Sequence, residues 1–384
     1  MSFHVAEVVL ADPQAAPSLV WDEVVRLETA EDLATLGYTD LVTPDTALNA
    51  TRYADRRLSD KVLLLAVLGE DPGGERGPYG FRALPSTGDA GIEPGSVAGR
   101  ILVLLNTLDN THMAGADDVL VDPAHRRQGM GSALEQGLLD VARRAGRDTL
   151  LLWAMVTGAL TDSPDGSIAD PTGDIRVRTD DAGVAFALAR GYSFAQAERH
   201  SVQPLPVPDE VLRPALDTSR AEAGGYEIVS YAGPTPERYV DQIARLYEGM
   251  STDTPLGEVD WQPETWDAAK VRETDKRLMR GRDVFTTVAR HVASDTVVAF
   301  TQLLGPQAQP EVVHQENTIV LAGHRGHGLG LLIKARNCAF ISAERPTSRR
   351  VHTWNADEND HMLAINTALG YRRESIAAAW QKKI

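Results

Sequence analysis

Cysteine is nearly missing from this sequence: Cys338 is the single one in 384 residues. No intramolecular disulfide can form, and a thiol inside an apolar-periodic helix reads as core packing rather than as a nucleophile. Aromatic residues are few, at 6%, and no apolar run is long and unbroken enough to span a bilayer. The N-terminal stretch Met1-Ser2-Phe3-His4-Val5-Ala6-Glu7 lacks the basic-then-apolar profile of a signal peptide. Positive charge is also in deficit. With 38 Lys and Arg against 54 Asp and Glu, the net charge is −16, which argues against nucleic acid, whose binding depends on clustered cations. The isolated pairs Arg126-Arg127 and Arg349-Arg350 then read as solvated side chains. These absences predict a soluble cytoplasmic protein, monomer or homodimer, with no membrane or nucleic-acid partner. Any anionic ligand must be held by local backbone and arginine groups.

What the chain does have is glycine in a particular place. The β-like run Asn317-Thr318-Ile319-Val320-Leu321 enters the turn Ala322-Gly323-His324-Arg325-Gly326-His327-Gly328-Leu329-Gly330, and an apolar-periodic helix from Leu331 to Ala343 leaves it. Such a turn exposes backbone N–H groups at a helix N-terminus, and glycine lets an anion approach them closely. The pattern Arg-x-x-Gly-x-Gly recurs at Arg126-Arg127-Gln128-Gly129-Met130-Gly131, after Val119-Leu120-Val121 and before another helix. Arg126 and Arg325, Gly129 and Gly328, and Gly131 and Gly330 are each 199 residues apart, whereas Tyr192 and Tyr371 are 179 apart. The halves therefore repeat one plan, and the first carries an insertion after Trp153, placed at 155–176.

Taken in order, residues 1–60 read as helices: a cap at Asp12-Pro13, an amphipathic run from Ser18 to Leu33, and another from Pro44 to Leu58. Strands are expected at Lys61–Leu68, Ser96–Leu105, Asp118–Val121, Asp148–Trp153 and from Tyr192 to Val202. Gly69–Gly95 reads as a long loop, and Ser132–Ala145 and Asp181–Arg190 as helices. The proline-rich stretch 204–225 reads as a linker between domains at 1–203 and 226–384. Beyond it come a strand at Tyr226–Tyr231, helices at Pro236–Glu248 and Pro263–Met279, and a hairpin of Asp283–Val292 with Thr296–Leu304. The second turn and its helix, a strand at Arg350–Trp354, a helix at Asp360–Leu369 and a strand at Ser375–Trp380 complete the order.

This order of elements, with the turn and the closing Gly-Tyr, resembles the GNAT (Gcn5-related N-acetyltransferase) superfamily in a tandem arrangement. The resemblance implies an α/β (α+β) fold of two GNAT domains. Each would have a mixed, mostly antiparallel sheet flanked by helices, with a splayed strand pair at an acyl-CoA cleft. It also implies an N-acetyltransferase that moves an acyl group from acetyl-CoA to a primary amine of a small molecule by direct attack. Coenzyme A would be held by the backbone of Arg325, Gly326, His327, Gly328, Leu329 and Gly330, with Val320 and Leu321 along the pantetheine arm. In the first half Val121, Arg126, Arg127, Gln128, Gly129, Met130 and Gly131 would take those places. Asn355 and Asn359 resemble positions that bond the pantetheine arm or cap the next helix, whereas the first half has Trp153-Ala154 there. Catalysis is therefore expected in the second half and a degenerate or structural role in the first.

Glu316, on the strand entering the second turn, sits where members of the resembled family often place a carboxylate base, with a solvated strand residue as the alternative, and Asp117 and Asp118 occupy that place in the first half. Many family members put a tyrosine acid where this chain has Asn366 and Ala187; Tyr371 reads as a core aromatic, with the acid as its alternative role, and water or another side chain is left to protonate the thiolate. Asp253 lies between the helices expected to wall the acceptor site and could hold an ammonium, or cap a helix. An acidic lining suits a cationic amine such as an amino sugar, polyamine or amino acid derivative. His324, His327, His352 and His361 show no recognised ligand spacing, so no metal is expected. A dinucleotide fold would need its glycine motif after the first strand of its domain, and neither copy lies there. The competing reading is a non-catalytic acyl-CoA-binding or regulatory protein.

Overall fold

The computed structural model describes residues 2–12 and 14–384; Pro13 of the expected Asp12-Pro13 cap lies outside the described residues. Its two compact units are residues 1–196 with 378–384, and residues 197–377. They differ from the 1–203 and 226–384 division at their edges, because two long strands each contribute to both units.

In chain order the first unit holds β1 (Phe3–Val9), α1 (Leu19–Thr35), α2 (Thr46–Ala54), β2 (Ser59–Leu68), β3 (Arg82–Pro85) and β4 (Val97–Asn106). Then follow β5 (Met113–Ala116), β6 (Leu120–Val121), α3 (Met130–Arg144), β7 (Thr149–Val156), β8 (Ser167–Ala169), β9 (Arg176–Arg178), α4 (Ala182–Ala189) and the first residues of β10 (Ser193–Pro204). The sheet runs β7-β5-β4-β2-β1-β3. Alternation along β2 builds the core. Leu63, Leu65 and Val67 pack with Trp21, Val24 and Leu27 of α1 and Tyr53 of α2, while Leu64 faces Gly137 of α3. Three sequence expectations are corrected. The segment read as helical from residue 1 begins with strand β1, antiparallel to β2 and parallel to β3, because tertiary pairing decides the state of so short a run. The loop 69–95 contains β3, and the insertion carries β8 and ends in β9, its antiparallel partner.

The second unit takes the rest of β10 and then α5 (Asp209–Glu222), β11 (Tyr226–Ala232), α6 (Val240–Asp253), α7 (Ala268–Leu278), β12 (Arg282–His291) and β13 (Thr296–Pro306). It continues with β14 (Val312–Val320), α8 (Leu329–Glu344), β15 (Arg350–Ala356), α9 (Asp360–Ala368) and the first residues of β16 (Arg372–Lys383). Strand order is β11-β12-β13-β14-β15-β10. One sheet face, with Val288, Phe300 and Ile319, packs on α6 and α7; the other, with Phe285, Leu303, Val313 and Val351, packs on α8 and α9. The expected linker is corrected to a helix. In α5, Asp209 and Glu210 occupy the first turn and Pro214 lies inside it, while Ala215 and Ser219 are buried. Burial of that face outweighs the hydrogen bond that proline removes.

Candidate functional site

Both units build the same gap by the same two devices. The first is a β-bulge. Between Val103↔Ala116 and Arg100↔Leu120, three steps on β4 face four on the opposing strand, and the extra residue falls among Asp117, Asp118 and Val119. Between Leu303↔Gln315 and Thr301↔Thr318, β14 likewise gains one residue, at Glu316-Asn317. A bulge bends the strand and re-aims its side chains. The second device is an early end to parallel pairing: β5 leaves β7 after Ala116↔Leu152 and β14 leaves β15 after His314↔His352. Asp122 N–H bonds to Ala98 O and Leu321 N–H to Val298 O, each at 2.9 Å. The antiparallel alternation therefore turns the N–H groups of Val121 and Val320 to the other side, into the gap. That leaves the Val320 N–H unengaged by β13 and removes Leu321 as a backbone donor.

The glycine turns close each gap. In the first, Arg127 has φ +64° and Gly129 φ +93°, and the first capping bond of α3 is Ala133 N to Gly129 O at 3.0 Å. The N–H groups of Met130, Gly131 and Ser132 thus have no intrahelical acceptor. In the second, Gly326 has φ +79° and Gly328 φ +64°, and Leu332 N bonds to Gly328 O at 3.0 Å. Arg126, Arg127, Gln128, Gly129, Arg325, Gly326 and His327 are exposed. The turns differ in their surroundings. No atom comes within 4 Å of a side chain added at Gly129, whereas one at Gly328 would meet Glu222 Oε2 at 2.7 Å and Ser219 Cα at 3.2 Å. The corrected helix α5 thus leaves a carboxylate beside the second turn. There too, Tyr226 Oη lies 2.9 Å from His324 Nδ1, and burial with His291 and His327 lowers the His324 pKa.

The signature arginines are tethers. Arg126 Nε donates to Val121 O at 2.9 Å and its Nη2 to Glu31 at 2.7 Å. Arg325 Nε donates to Val320 O at 3.1 Å and its Nη2 to Asp253 at 2.7 Å. Each ties the end of a sheet strand to the C-terminal turn of a helix on the opposite face. Asp253, expected to hold an ammonium, is thereby corrected: its carboxylate is engaged by Arg325. Tyr371 is corrected as well. It is 6% exposed, its hydroxyl is buried without a partner among the described residues, and it sits in the core with Cys338 and Leu369. Burial pushes that phenol well above its ordinary pKa, so it does not reach the gap as an acid. Asn359 caps α9, accepting from Met362 N at 3.2 Å, and Asn355 accepts from Asn366 at 2.6 Å. Glu316 is exposed on the bulge.

The first unit holds a cluster that the sequence did not reveal. Arg100 of β4, 7% exposed, lies 3.1 Å from Glu28 of α1 and 3.3 Å from Asp118 of the bulge. Burial works against its charge, but Asp118, Glu28, Asp117 and Asp32 outweigh burial and raise its pKa. Asp32, one turn beyond Glu28, is pushed up to about 7 by burial and by the charges of Glu28 and Asp118, and its buried Oδ2 has no partner among the described residues. Burial also raises Glu28. One signal was available: Arg100 interrupts an apolar strand, and a buried guanidinium needs carboxylates. In the second unit the position 199 residues on is Ala299, and around Tyr247 and Gln302 the network is neutral, with Tyr247 Oη donating to Gln302 Oε1 at 2.9 Å.

Comparison with known proteins bears on this geometry. Residues 85–159 match the acetyltransferase (GNAT) family profile. The segment runs from the end of β3 through the first bulge, the first glycine turn and α3 to just past β7. A tandem GNAT protein from the clavulanic acid biosynthesis pathway, solved without AcCoA, is 22% identical with a TM-score of 0.68, over 100% of this chain and 98% of that one. A GCN5-related N-acetyltransferase from Sphaerobacter thermophilus is 14% identical with a TM-score of 0.57, over 99% of this chain and 95% of that one. The fold is the tandem GNAT fold, as expected. No curated protein matches the sequence. GNAT family members are acetyltransferases that use acetyl-CoA, and the matched residues 85–159 are similar to that family. No described helix is long and apolar enough to cross a membrane.

Proposed function

We propose that this protein is an acetyl-CoA-dependent N-acetyltransferase for a primary amine on a small cationic molecule. Both turns take an acyl-CoA diphosphate, and the amine chemistry belongs to the first unit. One observation supports the reading: a cluster of Glu28, Asp32, Asp117 and Asp118, with Arg100 as their shared cation, in the unit that carries the open turn 126–131. An excess of carboxylates draws an ammonium. The amine must then lose a proton before it can attack, and a carboxyl near 7 is poised to accept it at neutral pH. The N–H of Val121, turned into the gap, is placed to meet a developing oxyanion, a contribution of a few kcal/mol in a site of this kind. The turn holds the other end of the donor, which makes the reaction effectively unimolecular. We place the activity in the cytoplasm, in a monomer or homodimer.

A second reading keeps catalysis in the second unit, with Glu316 as base. Its exposed position on the second bulge favours it, while the neutral network and Glu222 beside Gly328 weigh against it. Thiol release from acetyl-CoA with a panel of amino sugars, polyamines and amino acid derivatives tests both. The first-unit reading expects turnover to collapse in Asp32→Asn and to survive in Glu316→Gln; the reverse would move the chemistry to the second unit. Acetyl-CoA binding without release to any amine would instead favour a binding or regulatory protein.

A further inference from the structure

Lys334 interrupts the apolar face of α8. It is 1% exposed, its Nζ donates to Asn366 Oδ1 at 2.8 Å, and it lies 5.1 Å from the centre of the Tyr371 ring. The other titratable groups around it are the Tyr371 hydroxyl and Cys338 on the next turn of the helix, whose thiol burial pushes up to about 11. Among the described residues no carboxylate pairs with it. The repeat-equivalent residue of the first unit is Glu135, equally buried, but flanked by Lys382 at 3.3 Å and Arg190 at 3.7 Å. A buried charge without a counter-ion is costly, and leucine or methionine would fill this space without the cost.

The gain lies in direction. A lysine ammonium has donors only, so Asn366 must turn its oxygen to it and its NH2 away. That NH2 donates to Asn355 Oδ1 at 2.6 Å, and the Thr353 hydroxyl approaches the same oxygen at 3.4 Å. The Asn355 oxygen is thereby committed, and its NH2 remains as a donor with no partner among the described residues. Asn355 is only partly buried, on β15 beyond the point where β14 has left it. We propose that Lys334 is the positioning residue of an acyl-CoA site in the second unit: acting through Asn366, it orients Asn355 to offer its NH2 to an amide carbonyl of the pantetheine arm. This rests on reading the second turn as a diphosphate site.

Burial lowers the Lys334 pKa to about 8. Above that pH the neutral amine can accept as well as donate, and the direction of the chain is no longer enforced. The test titrates acetyl-CoA into the full chain carrying Arg127→Glu and Gln128→Glu, which puts two carboxylates at the first turn and leaves the second as the site measured. Affinity should fall as pH rises from 7 to 9. Lys334→Met should bind about tenfold more weakly at pH 7, the scale of one lost hydrogen bond, and show no such pH dependence. Asn366→Asp separates positioning from folding. Its carboxylate gives Lys334 an ion pair and should raise the melting temperature, yet it can only accept, so Asn355 must turn its NH2 inward and binding should weaken about tenfold. Wild-type affinity in Asn366→Asp, or an unchanged pH profile in Lys334→Met, overturns the role of Lys334. No binding by the Arg127→Glu/Gln128→Glu chain at any pH overturns the reading of the second turn itself.

Discussion

Arg127 occupies the position that Gly326 fills in the second turn, and it does so at φ +64°. An L-residue with a side chain is strained there by ~1–2 kcal/mol. Replacing it with glycine removes that strain and costs roughly 0.4–1 kcal/mol through the freer unfolded chain. Arg127→Gly should therefore stabilise the first unit by ~0.5–1 kcal/mol. For a unit of this size the melting temperature should rise by about 1–4 °C, which calorimetry can resolve. The same change removes an exposed guanidinium with no partner among the described residues, beside the free N–H groups of α3. An exposed ion pair is worth ~1 kcal/mol at most, so the dissociation constant for acetyl-CoA at the first turn should rise up to about fivefold. That difference should fade in high salt, because exposed charges are screened. Arg127→Lys keeps both charge and strain and serves as the control. A glycine variant that melts lower, or binds acetyl-CoA as tightly as the parent at low salt, would refute the assignment of that residue to the turn.

Further outcomes follow from the same geometry. With Asp32 as base, the rate should rise with pH through about 7, and Asp32→Asn should flatten that profile and lower the rate by ~10²–10⁴-fold. A raised carboxyl pKa opposes folding above its ionisation, an effect absent below the ordinary aspartate range, so Asp32→Asn should melt higher than the parent at pH 8 but not at pH 3. Asn359→Ala, which removes the cap of α9, should cost ~1 kcal/mol in a denaturant titration. Lys382→Met leaves Glu135 with the Tyr192 hydroxyl at 3.5 Å and the more distant charge of Arg190 and should destabilise the first unit by ~2–3 kcal/mol; a loss under 0.5 kcal/mol by the same measurement would refute that pairing.

The parts of this protein that could be read in advance are those written locally. The spacing Arg-x-x-Gly-x-Gly marks both turns because the left-handed glycines, the free amides and the helix start lie within six residues. The cap at Asn359 was legible for the same reason. The acidic cluster was not, because Glu28 and Asp32 reach Arg100 only once α1 has packed across β4, some 70 residues later in the chain. Helix α5 was hidden by its prolines, which local propensity penalises and the buried Ala215–Ser219 face overrides. Asp253 was misjudged because its partner is 72 residues away, and for Tyr371 the core reading holds over the acid role.

Residues 378–384 belong to the first unit. Trp380 stacks on Phe194 with ring centres 5.0 Å apart, and the Ile384 N–H donates to Asp148 O at 2.9 Å. A ribosome therefore translates the whole second unit before it supplies the strand that finishes the first. Until then a sheet edge stands open on the nascent chain, exposed to whatever could pair with it. Two separate gene fragments cut between the repeats would not yield two native halves, and the dependence of one repeat on the other begins during synthesis.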